Sequence, residues 1–320
     1  MDRLGFFKHA LSGLMDAATT VVGMKKAVES MSEAVDEALS NIKTDMCLHL
    51  PSLEAKMYED PTNTLSELAL MGYTTLEVGA YYGDTIHDQK VETFREMVRK
   101  AGLKVVAIHL NREYKPEPTP EESVGNDVEE SAEEAPVKIT AEQKWWLEAL
   151  EVAKTLGCKR VVMAKVPAFP PEQTAQMAQT YAEYFARIAV MAQERGLEFC
   201  YHPAAAELKS QDGVSFLDYI ATNAVAEMVK FQIDTFEVLQ ADVDICSLIR
   251  QYKQRIVSLH LHDRSIVCES GDIDFDAVVK FASQCGVDDL VVEVRHFMLP
   301  PMNCVERSIQ NVMSLSSVRL

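Results

Sequence analysis

Five helical stretches of this chain end on a glycine and pass straight into a short apolar run: Met71-Gly72-Tyr73, Ala101-Gly102-Leu103, Leu156-Gly157-Cys158, Arg195-Gly196-Leu197 and Cys285-Gly286-Val287. Glycine at that place supplies the left-handed residue that closes a helix before the next segment begins. The repeat predicts helices alternating with strands. Strands are expected at Met46–Leu50, Thr75–Gly79, Lys104–His109, Arg160–Lys165, Glu198–His202, Lys230–Asp234, Ile256–His260 and Leu290–Glu293. Between them, Val91–Ala101, Ala141–Leu156, Pro171–Arg195 and Phe275–Cys285 carry helical patterns. Several strand interiors are apolar on both faces, as in Val105-Val106-Ala107-Ile108 and Leu290-Val291-Val292. Strands of that kind lie in a parallel sheet covered by helices. Eight strand–helix units closing on themselves give an α/β fold, the (β/α)₈ barrel. An open doubly wound sheet would call for a glycine-rich turn after the first strand. Leu50-Pro51-Ser52-Leu53-Glu54-Ala55 has no glycine, so dinucleotide binding is set aside.

Two segments stand outside that repeat. Residues 1–44 are expected to form an N-terminal helical extension, with Met24, Ala27, Val28 and Met31 on one face. It would pack on the barrel or on a partner subunit in a homo-oligomer. Residues 45–320 form the barrel domain, interrupted at about residues 115–138 by an insertion rich in Pro, Glu and Ser. Such a composition cannot bury a core and is expected to be a flexible surface loop.

The chain has 320 residues, 48% of them hydrophobic, and a formal net charge of −18. That acidity disfavours nucleic acid and anionic membranes as partners. No apolar run reaches the length of a membrane span. A signal peptide is not expected either, because Lys8, Asp16, Lys25 and Lys26 interrupt the first apolar stretch. The seven cysteines form no C-x-x-C pair. They are expected to be reduced thiols, which suits a cytoplasmic setting.

In a barrel of this kind the active groups come from the C-terminal ends of the strands and the loops that follow. Four successive strands run from apolar residues into Glu207, Asp234, His260 and Glu293. Three carboxylates brought together would repel one another, and a bound cation relieves that cost. Several oxygens with one imidazole suit Mn²⁺ first, then Mg²⁺ or Co²⁺, with Zn²⁺ also admissible.

At these residues the chain resembles the xylose isomerase-like TIM-barrel superfamily, in its sugar phosphate isomerase/epimerase branch. Tyr201-His202-Pro203-Ala204-Ala205-Ala206-Glu207 is similar to the branch's Y-H-N-H-x-x-E segment. Ile233-Asp234, Leu259-His260-Leu261-His262-Asp263-Arg264, Ser270-Gly271-Asp272-Ile273-Asp274-Phe275 and Val291-Val292-Glu293 resemble its later motifs in order. The resemblance implies one divalent metal on Glu207, Asp234, His260 and Glu293. It also implies proton transfer beside a sugar carbonyl through an enediolate, with Glu207 and Glu293 as the catalytic pair. The chain departs from the pattern at Pro203, Ala204, Glu237 and His262, and these positions are where the specific reaction is decided.

Six further residues are candidates for contact with a small carbohydrate substrate: His109, Lys165, His202, Glu237, His262 and Arg295. Asp263 is a candidate for orienting His260 or His262. Glu77 faces the barrel interior or its mouth, with no role assigned. The leading expectation is a metal-dependent sugar isomerase or epimerase. Competing with it are a lyase or deglycosidase acting on oxidised (3-keto) sugars, and a non-catalytic barrel. A nuclease of the apurinic-site type shares the fold, but it needs more metal ligands and a basic surface.

Overall fold

The computed structural model describes residues 45–112, 114, 139–164, 166–210 and 212–318. The expected N-terminal helical extension and the acidic insertion lie outside the described residues, as does Lys165.

The eight barrel strands, numbered in chain order, are β1 (Cys47–His49), β2 (Thr75–Val78), β3 (Lys104–His109), β4 (Arg160–Ala164), β5 (Glu198–His202), β6 (Lys230–Asp234), β7 (Ile256–His262) and β8 (Leu290–Glu293). Neighbours are parallel, and β1 pairs with both β2 and β8, so the sheet closes into a barrel. The expected (β/α)₈ architecture is what the chain forms. β7 runs two residues further than expected, and that extra pleat brings His262 inward beside Glu293 in register. A three-stranded antiparallel meander over residues 81–90, between β2 and β3, was not expected.

The helices cover the outside of the sheet. Ala141–Leu156 starts on a capping box, in which Thr140 Oγ1 accepts from Gln143 N and Gln143 Oε1 accepts from Thr140 N. It buries Trp146, Ala149, Leu150, Ala153 and Leu156, the stripe that a 3.6-residue period dictates. Trp146 donates Nε1–H to Tyr184 Oη on the helix Thr174–Gln193 at 2.8 Å, and its ring meets Phe199 of β5 at 6.3 Å, so it packs against both helix and sheet. Phe185 meets Tyr201 and Phe199 at ring separations of 4.8 and 5.4 Å.

The inside of the barrel is layered. At the N-terminal end Arg160 is buried and pairs with Asp289 at 2.7 Å. Above it lies a small apolar layer of Ala107, Val162 and Cys200. The C-terminal end is polar. Among the described residues no helix is long and apolar enough to cross a membrane. The seven cysteines are unpaired thiols.

Candidate metal centre

Side chains alternate between the two faces of a strand. The same parity that points Cys200, Gln232 and Ser258 into the barrel also points in the residues two further on, His202, Asp234 and His260. His49 on β1, Glu77 on β2, His109 on β3 and Glu293 on β8 join them, all at most 9% exposed.

Glu77 sits at the centre of a hydrogen-bonded network. Its Oε2 accepts from His109 Nε2 and from His260 Nε2, both at 2.9 Å. Its Oε1 accepts from Gln232 Nε2 at 2.8 Å. His260 Nδ1 lies 2.5 Å from Glu293 Oε2, and His49 Nδ1 lies 3.3 Å from the same oxygen. Burial alone would lower the pKa of His260. The carboxylates of Glu77 and Glu293 outweigh it and raise the imidazole to about 10. Burial opposes ionisation of Glu77 and Glu293 too. His260 with His109 holds Glu77, and His49 with His260 holds Glu293, well below the usual carboxylate range.

Asp234 ends β6 and caps the helix Thr235–Gln240. Its Oδ1 accepts from Phe236 N and Glu237 N, and its Oδ2 faces His262 Nδ1 at 2.9 Å. His202 Nδ1 lies 2.9 Å from Gln232 Oε1. Burial first, then the charge of His260, push His202 down to about 4, so its ring is neutral. Its Nε2 is buried, has no hydrogen-bond partner among the described residues, and lies 3.9 Å from Asp234 Oδ2.

Arg295 follows Glu293 and clamps the rim. It reaches Glu293 Oε1 at 2.5 Å, Glu237 Oε1 at 2.8 Å and Asp234 Oδ2 at 3.6 Å. Glu237 Oε2 also accepts from Ala205 N. Beside these groups lies a cavity of about 420 Å³, whose wall includes His49, His109, Asn111, Glu293, Arg295 and Phe297.

Two expectations are corrected. The structure does not bring Glu207 into the cluster. The chain after β5 turns at once into the short helix Ala205–Leu208, and Glu207 is spent closing that turn. Its oxygens accept from Val166 N, Tyr201 Oη and Ala204 N, at 2.9, 2.6 and 2.8 Å. Burial raises its pKa against those bonds. Asp263 orients neither His260 nor His262. Its carboxylate holds the loop after β7 through Arg264 N, Glu269 N and Ser270 N. His202, by contrast, joins Asp234 and His260 as a set whose donor atoms all lie within 4.8 Å of one another; Asp234 with His262 and Glu293, and His49 with His109 and His260, form two further such sets.

These residues fit a divalent cation. Buried carboxylates and imidazoles converge, and the buried Nε2 atoms of His202 and His262 have no hydrogen-bond partner among the described residues. Sequence reasoning passed over His49 and Gln232 and left Glu77 without a role. The available signal was a polar residue inside an otherwise apolar strand, as in Leu48-His49-Leu50, Leu76-Glu77-Val78 and Phe231-Gln232-Ile233.

The fold is shared with solved structures. A sugar phosphate isomerase/epimerase from Parabacteroides distasonis superposes with a TM-score of 0.70 at 22% identity, over 85% of this chain and 94% of that one. The 3-keto-D-glucoside 4-epimerase of E. coli gives 0.62 at 13% identity, over 85% and 99% of the two chains. The IolI protein with a bound zinc atom gives 0.62 at 14% identity, over 87% and 99%. No curated protein matches the chain. Residues 65–310 match the family model of the xylose isomerase-like TIM barrel, and the chain belongs to that family.

Proposed function

We propose that this protein is a divalent-metal-dependent isomerase or epimerase of a sugar or sugar derivative, moving a proton beside a carbonyl through an enediolate. The observation that carries this reading is the bare, buried Nε2 of His202 set against Asp234 and His260. His202, Asp234, His260 and Glu293 would hold the metal. This mixed nitrogen and oxygen set suits Mn²⁺ and admits Zn²⁺, the ion named for the IolI structure. When bound, the ion supplies Lewis-acid stabilisation of charge on the enediolate oxygens. The remaining roles belong to side chains. Glu293 lines the cavity and is kept anionic by its neighbours, the form a general base must have to take a proton from carbon. His49 and His109 offer ring nitrogens to sugar hydroxyls across the same cavity. Glu237 and His262 sit beside Asp234. Arg295 holds Glu293 and Glu237 in place, and its charge is already matched by them. That pairing favours an uncharged sugar over a phosphorylated one. The parallels with a sugar phosphate isomerase/epimerase and a 3-keto-D-glucoside 4-epimerase support the same chemistry.

The test is metal analysis of the purified protein together with solvent-deuterium incorporation across ketoses, sugar phosphates and 3-keto-glycosides. The expected result is a stoichiometric divalent ion and exchange at a carbon beside the carbonyl. Release of an aglycone would instead establish the lyase reading. Absence of both metal and exchange would leave a non-catalytic barrel.

A further inference from the structure

Strands β2 and β6 stand four places apart in either direction round the barrel, so they face each other across it. Glu77 and Gln232 bridge that space at 2.8 Å. A carboxylate can only accept, so Gln232 must turn its NH₂ group towards Glu77. The second N–H of that amide goes to Ser258 Oγ at 2.9 Å. What remains of Gln232 is its carbonyl oxygen, an acceptor only, and it faces His202 Nδ1 at 2.9 Å. Nδ1 must therefore carry the ring proton, which leaves Nε2 as a lone pair. The opposite tautomer would place a proton on Nε2, 3.9 Å from Asp234 Oδ2, and block it as a ligand.

We propose that Glu77 is a positioning residue: acting through Gln232, it locks His202 in the Nδ1–H tautomer and so reserves Nε2 for a divalent cation. The cation itself rests on the function proposed above; the relay rests on hydrogen-bond geometry.

Nitrogen-15 NMR of histidine-labelled, metal-free protein at pH 8 reads the tautomer directly, and Mn²⁺ titration of the same samples reads affinity. Wild type is expected to show His202 protonated at Nδ1. Gln232→Met is expected to move the proton to Nε2 and to weaken Mn²⁺ binding on the order of 10- to 100-fold, the usual effect of losing an outer partner of a ligand. The double variant Glu77→Gln with Gln232→Glu reverses the polarity of the bridge. The amide placed on β2 would donate to the carboxylate placed on β6, and that carboxylate would still accept from His202 Nδ1. This double variant is expected to restore both the tautomer and the affinity, and it separates loss of the relay from loss of fold. The relay is overturned if Gln232→Met keeps the Nδ1–H signature, if the tautomer moves with no loss of affinity, or if the double variant folds without rescue. Wild type with the expected tautomer but no Mn²⁺ binding would sink the proposed function and uphold the relay.

Discussion

At the scale of single residues, the site is governed by which carboxylate faces which ring. Glu293 touches His260, His49 and Arg295 and borders the cavity, so it is the proposed base. Glu293→Gln keeps the shape and removes the basic oxygen. Turnover and solvent-deuterium exchange should both fall by about 10²–10⁴-fold, the range that general-base catalysis contributes; full activity in the variant would exclude this role. Arg295 competes with any cation for Glu293 and Asp234. Arg295→Leu should therefore bind Mn²⁺ more tightly, by about tenfold after allowance for solvent screening of a half-exposed guanidinium, while kcat drops because Glu293 and Glu237 lose their clamp. Unchanged or weaker Mn²⁺ binding in a calorimetric titration would refute that competition. At this scale the sequence was half legible. Asp234 and Glu293 were visible because each closes an apolar strand, and His260 because it stands as a polar residue within one. Glu207 carried the right chemistry but lies beyond the end of β5, where Pro203 and a short helix turn its carboxylate onto local backbone amides. His202, two residues beyond Cys200 on the same strand, lies beside Asp234 and His260 instead.

At the scale of elements, the glycine punctuation held wherever it was read. Gly72, Gly102, Gly157, Gly196 and Gly286 all have positive φ, between 73° and 108°. Gly157 closes the helix Ala141–Leu156 at φ 84°, with open space where a Cβ would stand. Gly157→Ala should consequently cost only the backbone term, about 1–2 kcal/mol, with no steric addition. A urea titration showing no fall in the unfolding midpoint would mean that the helix exit adjusts. The strand bounds were equally legible for β3, β5, β6 and β8. The extension of β7 was not, because the expected strand stopped at His260. The pairing of His262 with Glu293 on β8 is a property of the neighbour, which no local pattern reveals.

At the scale of the whole molecule, the buried histidines link stability to pH in two directions. His87, His109 and His202 are each pushed down to about 4, chiefly by burial. Between their ordinary value of about 6.5 and pH 4 the unfolded chain binds more protons than the folded one, so stability falls on acidification. His260 is raised to about 10 against burial by Glu77 and Glu293. Its contribution is complete below about pH 6.5 and is lost as pH rises towards 10. Metal-free protein should thus melt at its highest temperature near neutrality, with both limbs sloping away; a midpoint still climbing between pH 7 and 10 would contradict the ionised His260. Residue order by itself determined the barrel and the end of it that carries chemistry. Alternation along a strand, 3.6-residue stripes on helices and left-handed glycine exits are local and can be read one segment at a time. Only the tertiary structure decided which groups meet. Glu77 reaches His260 across 183 positions of sequence and Gln232 across 155. Closure of eight strands puts them within hydrogen-bond distance, and that bridge is what carries the proposed choice of ring nitrogen for a metal.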